Sequence, residues 1–193
     1  MIKNPVFVKS AASPSDFLKA DKKQIAVAGK SNVGKSSFIN LLAGCRLART
    51  SQTPGRTRLI NYFDMGNFIL TDLPGYGYAK ASKGEIEKWG ELVESYLLRE
   101  EKLARVLMLL DIRHPPTELD HLLVDYLFRT KIPFSVIATK ADKIAKSRIK
   151  PRVSEIAAHL KVGEGDIIAV SSHTGYGRKE TLSLIRNILN IEL

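Results

Sequence analysis

The chain has a single cysteine, Cys45, so it cannot close an internal disulfide, and the disulfide frameworks of small secreted domains are excluded. It has no long apolar run. The longest, Val106 to Leu110, is far too short to span a bilayer, and Met1-Ile2-Lys3-Asn4-Pro5 carries no apolar core of the signal-peptide kind. Internal repeats and low-complexity segments are absent. His114, His121, His159 and His173 do not fall into a metal-ligand spacing with Cys45 or with carboxylates, so no zinc centre is expected. These absences lead us to expect a protein of the reducing cytoplasm, off the membrane. What is present is a 193-residue chain, 44% hydrophobic, long enough for one domain with a substantial core. Its formal net charge of +10 points to a polyanionic partner, if the charge proves to be clustered.

The most informative stretch is Gly29-Lys30-Ser31-Asn32-Val33-Gly34-Lys35-Ser36, which fits the phosphate-loop pattern G-x-x-x-x-G-K-[ST]. Ile25-Ala26-Val27-Ala28 before it reads as a buried strand. Phe38, Ile39, Leu41 and Leu42 after it recur at helical spacing and stop at Gly44. Strand, glycine loop and helix are the context in which successive N–H groups converge on phosphate oxygens at a helix N-terminus. Gly29, Lys30, Ser31, Asn32, Val33, Gly34, Lys35, Ser36 and Ser37 are therefore the candidate phosphate contacts. Lys35 would reach the β- and γ-phosphates, and the Ser36 hydroxyl would sit on Mg²⁺.

Residues 1–24 contain the short alternating piece Val6-Phe7-Val8 and read as an N-terminal extension packed on the edge of a domain formed by 25–193. Cys45 to Arg58, polar and holding Pro54-Gly55, reads as a mobile loop. Residues 59–64 and 67–72 predict a hairpin around Gly66. A helix within 84–101 puts Ile86, Trp89, Val93, Tyr96 and Leu97 on one face, which makes Trp89 a core residue rather than a stacking platform. Strands at 106–111, 134–139 and 167–171 alternate with helices around Leu119–Leu127, Val153–Leu160 and Leu182–Leu189. The expectation is an α/β protein with a mostly parallel six-stranded sheet and helices on both faces. Ligands of such sheets bind beyond the strand C-termini, where the remaining motifs fall.

Asp72-Leu73-Pro74-Gly75 closes a strand and fits D-x-x-G: a carboxylate to hold Mg²⁺ through water, and the Gly75 N–H for a γ-phosphate. Thr139-Lys140-Ala141-Asp142 ends another strand and fits [NT]-K-x-D. The Asp142 carboxylate can accept from guanine N1–H and the 2-amino group, neither of which adenine offers, and a site built this way discriminates by on the order of 10⁴. The Lys140 stem would cover the base plane. Thr139 stands where asparagine is commoner, which shortens that contact. Ser171-Ser172-His173 follows the last strand, where the Ser172 N–H could meet guanine O6; His173 itself reads as a surface residue. In the mobile loop Thr57, or else Thr53, is the second Mg²⁺ ligand. Mg²⁺ is thus assigned to Ser36, Thr57 and Asp72, and the reaction to Lys35, Thr57 and Gly75.

These motifs, in this order and at these strand ends, resemble the translation-factor-related P-loop GTPases. Thr53-Pro54-Gly55-Arg56-Thr57, Asp72-Leu73-Pro74-Gly75-Tyr76-Gly77-Tyr78, Asp111-Ile112-Arg113-His114-Pro115 and Thr139-Lys140-Ala141-Asp142 look more narrowly like the EngB (YihA/YsxC) family. The resemblance runs from about residue 5 to the C-terminus. It implies a Ras-like fold, GTP hydrolysis to GDP and phosphate, and a role in assembling the large ribosomal subunit. For the Asp111–Pro115 string the residues themselves supply no duty beyond turn and strand-end packing.

Tyr76 stands directly after Gly75, where many GTPases of this fold place a water-orienting glutamine. Slow hydrolysis without a partner is therefore expected, and Asn32 is a candidate to hold K⁺ beside the α- and γ-phosphates. The positive charge is segregated. Arg46, Arg49, Arg56 and Arg58 lie in the mobile loop, and Lys140, Lys143, Lys146, Arg148, Lys150 and Arg152 follow the base-recognition strand, whereas 85–101 is mainly acidic. The expected partners are GTP or GDP and the large ribosomal subunit or its rRNA, bound by a monomer. Two other readings are a small-molecule kinase, which Asp142 disfavours, and an RNA-binding module with GTP as a structural ligand.

Overall fold

The computed structural model describes residues 2, 4–49, 59–77 and 83–191, the side chains of 83–89 excepted. The elements are β1 (Val6–Ala11), β2 (Gln24–Gly29), α1 (Lys35–Ala43), β3 (Ile60–Asp64), β4 (Ile69–Asp72), α2 (Lys83–Arg99), β5 (Leu103–Asp111), α3 (Glu118–Arg129), β6 (Phe134–Thr139), α4 (Lys146–Leu160), β7 (Ile167–Ala169) and α5 (Arg178–Leu189). They form one sheet in the order β1-β3-β4-β2-β5-β6-β7. β4, β2, β5, β6 and β7 run parallel, and β3 is antiparallel to both its neighbours.

The pattern of the central strands explains the layering. In β2, Ile25 and Val27 point to one face while Ala26 and Ala28 point to the other; in β5, Leu107 and Leu109 oppose Val106, Met108 and Leu110. Both faces are therefore apolar, as a parallel strand covered on two sides requires. Phe38, Ile39 and Leu42 of α1 pack with Ile185 and Leu189 of α5 on the first face. Leu92, Val93, Tyr96 and Leu97 of α2, Val124 and Leu127 of α3, and Ile156 and Leu160 of α4 cover the second. Leu107 is fully buried, so Leu107→Ala removes about 2–5 kcal/mol of stability. Among the described residues no helix is long and apolar enough to cross a membrane.

The six expected strands are all present, and the sheet has a seventh. It is β1, from the Val6-Phe7-Val8 piece, which pairs with β3 from Val6 opposite Asp64 to Ala11 opposite Ile60, with a bulge between Phe7 and Lys9. Val6, Phe7 and Val8 are 53%, 52% and 41% exposed, so no buried face marks this edge strand in the sequence. Its stability comes from the backbone ladder and from Phe7, whose ring meets Phe63 edge-on at 5.7 Å. The expected stop of α1 is where the glycine predicts it. Gly44 has φ +74°, its N–H bonds the Asn40 carbonyl, and the Arg178 guanidinium takes the Leu41 and Leu42 carbonyls at 2.6 and 3.0 Å.

Candidate nucleotide site

The phosphate loop lies between the end of β2 and the start of α1. Gly29 is there because a Cβ would come within 2.8 Å of the Leu109 carbonyl of the neighbouring strand. Asn32 at φ +62° and Gly34 at φ +107° turn the chain left-handed, and the Val33 N–H closes on the Lys30 carbonyl at 3.1 Å. The result is a concave run of backbone feeding the N-terminus of α1, the geometry that suits an anion.

Lys35 opens α1 and is half-buried. Burial pushes its ammonium pKa down, and Asp72 opposes that shift. Asp72 ends β4 and is 4% exposed. Burial pushes its carboxyl up to about 6, against the pull of Lys35 and a hydrogen bond with Asn61. Its Oδ1 is buried with no hydrogen-bond partner. A carboxylate oxygen so orphaned, together with the half-buried Ser36 hydroxyl in the first turn of α1, fits a hard cation that keeps most of its ligands as water and phosphate oxygens.

Gly75 leaves no room for a side chain: a Cβ would sit 2.8 Å from Lys35 Nζ and 3.1 Å from the Ser31 nitrogen. The chain is held here by a bridge between Lys30 and Tyr76, with the Ser31 N–H donating to the Tyr76 carbonyl at 2.8 Å. The Tyr76 side chain reaches the first turn of α3. Its hydroxyl donates to Asp120 Oδ1 at 2.6 Å, in a buried contact that holds the phenol neutral. Asp120 Oδ2 meanwhile accepts from the Thr117 N–H and hydroxyl, both at 2.7 Å, capping α3. Sequence reasoning missed Asp120, although Thr-x-x-Asp before an apolar run carries the capping signal.

The base-side residues converge on the same loop from β6. The Thr139 hydroxyl lies 2.7 Å from the Val33 carbonyl and 2.9 Å from the Leu110 carbonyl, so the threonine still reaches the phosphate loop. Lys140, at φ +62°, donates from Nζ to the Asn32 carbonyl at 2.9 Å. The Asp142 side chain is 13% exposed; Oδ1 accepts from Ser171 Oγ at 2.7 Å, and Lys143 lies 3.3 Å from Oδ2. The Ser171 hydrogen bond, above all, holds the Asp142 carboxyl below the usual range. Ser171 Oγ also accepts from the His173 and Thr174 N–H groups, and Ser172 and His173 themselves are exposed.

Thr53, Thr57, Arg56, Arg58 and Tyr78 lie outside the described residues, as does the Trp89 side chain. Arg46, Arg49, Lys143, Lys146, Arg148 and Lys150 are exposed. Three cations of the basic run that follows β6 are already paired, Lys143 with Asp142 as above. Arg152 bonds the Ile112 carbonyl and pairs with Glu155, and Lys140 pairs with Asp111 at 3.0 Å. Sequence reasoning also passed over this role of Asp111, because it depends on a partner from a different strand.

A strand–phosphate loop–helix unit, an acidic strand end facing its lysine and a base-side loop tied back to the phosphate loop, on one mostly parallel sheet, together define a Ras-like P-loop GTPase. Residues 24–140 match the family described as 50S ribosome-binding GTPase. The chain is 42% identical to the probable GTP-binding protein EngB of Desulfosudis oleivorans, over 99% of this chain and 98% of that one. It is 46% identical to that of Pelotomaculum thermopropionicum, over 95% and 94%. The chain belongs to the EngB family of GTP-binding proteins, and its activity is that of a GTPase. Its fold is similar to a crystal structure of a probable EngB, with a TM-score of 0.72 at 23% identity, covering 86% of this chain and 98% of that one. It is also similar to Era solved with MgGDPNP and a segment of 16S ribosomal RNA, with a TM-score of 0.72 at 24% identity, covering 91% and 59%.

Proposed function

We propose that this GTPase is a nucleotide-driven switch in the assembly of the large ribosomal subunit, binding rRNA-containing particles more tightly in one nucleotide state. The observation that carries this reading is the segregation of charge. Lys146, Arg148 and Lys150 form an exposed basic group close to the base-side loop, Lys143 beside them being paired with Asp142, and Arg46 and Arg49 are exposed after α1. A charge kept only for solubility has no reason to cluster at the nucleotide site. The family description and the RNA-bound Era relative support the same class of partner.

In this reading residues 25–193 form the GTP-binding domain and 1–24 an extension whose strand β1 completes the sheet. The protein acts as a cytoplasmic monomer. Backbone N–H groups from Gly29 to Ser37 cradle the phosphates, Lys35 neutralises the β- and γ-oxygens, and the Gly75 N–H meets the γ-phosphate. Ser36 and Asp72, with Thr57 or Thr53, would hold Mg²⁺, which would supply charge neutralisation at the transferring phosphoryl group. Asp142 reads guanine N1–H and the 2-amino group, with Thr139 and Lys140 fixing the loop. Ser171 pins Asp142, and the Ser172 and His173 backbone closes the O6 side. Tyr76 is occupied by Asp120 and does not orient water, so turnover is slow until a partner, or K⁺ at Asn32, adds positive charge.

Phosphate release from GTP is measured with and without large ribosomal subunits, and subunit binding is followed across a salt series with a non-hydrolysable GTP analogue and with GDP. Stimulated turnover, and steeper, tighter binding with the analogue, are the expected results. Lys146→Ala/Arg148→Ala/Lys150→Ala flattens the slope of log affinity against log salt by roughly 0.7 units for each RNA phosphate that is no longer neutralised. Identical binding in both nucleotide states would sink the switch.

A further inference from the structure

Asp111 ends β5, in register with Thr139 at the end of β6, and its side chain is 15% exposed. Arg113 grips it from one side: Nε lies 2.9 Å from Oδ1 and Nη2 2.7 Å from Oδ2, and the Arg113 N–H adds a third bond to Oδ1 at 3.1 Å. Lys140 Nζ approaches Oδ2 from the other side at 3.0 Å, and the same ammonium donates to the Asn32 carbonyl of the phosphate loop at 2.9 Å. The planar two-point contact with the guanidinium fixes where the carboxylate sits, and so where the lysine can sit. Burial raises the Asp111 carboxyl, but Arg113 and then Lys140 outweigh it and hold the group far below the usual carboxylate range. The group is therefore a carboxylate at neutral pH.

We propose that Asp111, gripped by Arg113, is a positioning residue for guanine-nucleotide binding: it parks the Lys140 ammonium on the Asn32 carbonyl, so that the lysine stem is in place before the base arrives. The proposal rests on the reading of Lys140 as the cover of the base plane. A long lysine side chain left free in an empty site has to be ordered on binding, and that entropy comes out of the affinity. Here the ordering is done in advance by a carboxylate at the end of the neighbouring strand β5. The Asp-x-Arg segment of the Asp111–Pro115 string thereby acquires a duty beyond its turn, and the base-side and phosphate loops become one unit through a single ammonium.

The test is a double-mutant cycle on GTP and GDP affinity in the full chain, with the thermal midpoint of each nucleotide-free variant recorded alongside. Asp111→Asn keeps the shape and removes the charge; it is expected to weaken GTP and GDP alike by about three- to tenfold, the range for one side chain that must be ordered on binding. Lys140→Ala is expected to weaken both by at least that much. In the Lys140→Ala background Asp111→Asn should cost nothing further, which a general loss of fold would not reproduce. Arg113→Gln, a change at the surface, should show the same pattern to a smaller extent, and it serves if Asp111→Asn does not fold. Unchanged affinity in Asp111→Asn or Arg113→Gln, with Lys140→Ala weakened, overturns the positioning role alone. Equal losses in both backgrounds overturn it too. A Lys140→Ala protein with wild-type affinity overturns the reading of Lys140, and the positioning role with it.

Discussion

The two halves of the nucleotide site treat their charges in opposite ways. On the base side every carboxylate is answered: Asp142 by Ser171 and Lys143, and Asp111 by Arg113 and Lys140. On the phosphate side Lys35 and Asp72 are both desolvated, the pKa of each is pushed toward its neutral form, and Asp72 Oδ1 has no partner. The base side is finished before ligand arrives and needs only to be filled. The phosphate side is left incomplete, and the missing partners are those that a phosphate chain and a divalent cation supply. Ligand binding therefore relieves an unfavourable arrangement on one side and matches a prepared one on the other. That division suits the switch proposed above, which would keep guanine in both states and respond to one phosphate.

The largest expected effect breaks the base side. Asp142→Asn replaces one acceptor with a donor, which opposes the guanine 2-amino group and suits the 2-carbonyl of xanthine. The preference for GTP over XTP should shift by as much as about 10⁴. Competition binding with the two nucleotides measures it, and retention of full GTP affinity would detach Asp142 from the base. Next comes the phosphate side. Lys35→Met keeps an apolar stem of similar length and removes the cation aimed at the transferring group. Turnover at saturating GTP should fall by about 10²–10³-fold, the usual loss of one preorganised charge donor.

The contrast also has a pH signature, and its sign differs between the halves. Asp72 has a folded-state pKa raised from 3.8 to about 6. Its contribution to the stability of the nucleotide-free protein is thus largest below 3.8 and is lost as the pH rises through about 6. At 1.4 kcal/mol per unit this amounts to roughly 3 kcal/mol. Asp111 behaves oppositely: its pKa is depressed, so its contribution is present above 3.8 and is lost as the pH falls. Urea midpoints from pH 4 to 8 should therefore drop for the wild type relative to Asp72→Asn, and parallel curves would refute the buried carboxyl.

The smallest effect concerns Tyr76, which sits on the phosphate side in sequence but is tied to α3. Tyr76→Phe removes a buried hydrogen bond to a charged group and should lower stability by about 1.5–3 kcal/mol. Turnover should stay within a few-fold of wild type, because the hydroxyl faces Asp120 and not a water on the γ-phosphate. A turnover loss beyond tenfold in a folded variant would make Tyr76 part of the reaction.

Much of this site was legible in the sequence because its signals are local. The phosphate loop needs a strand, two glycines and a helix start within one short run, and Gly44 ends α1 through its own backbone. Central strands are legible for the same reason, since burial on two faces writes a continuous apolar run such as Val106–Leu110. Strand β1 was only half legible, because an edge strand takes its partner from elsewhere and its first three side chains, Val6, Phe7 and Val8, are exposed.

The sequence by itself determined the order of the motifs, the parallel sheet, and a guanine-nucleotide site beyond the strand ends. Each of these follows from residue type and short spacing. Only the tertiary structure decided how the charges pair. Tyr76 finds Asp120 across 44 positions, and Ser171 finds Asp142 across 29. Arg152 drops out of the basic run, since its guanidinium bonds the Ile112 carbonyl across 40 positions. Lys140 likewise reaches back 108 positions to the Asn32 carbonyl and is met there by Asp111. A hydrogen bond needs its partners within about 3 Å, and that proximity comes from the packing of strands and helices, which no local pattern of residues encodes.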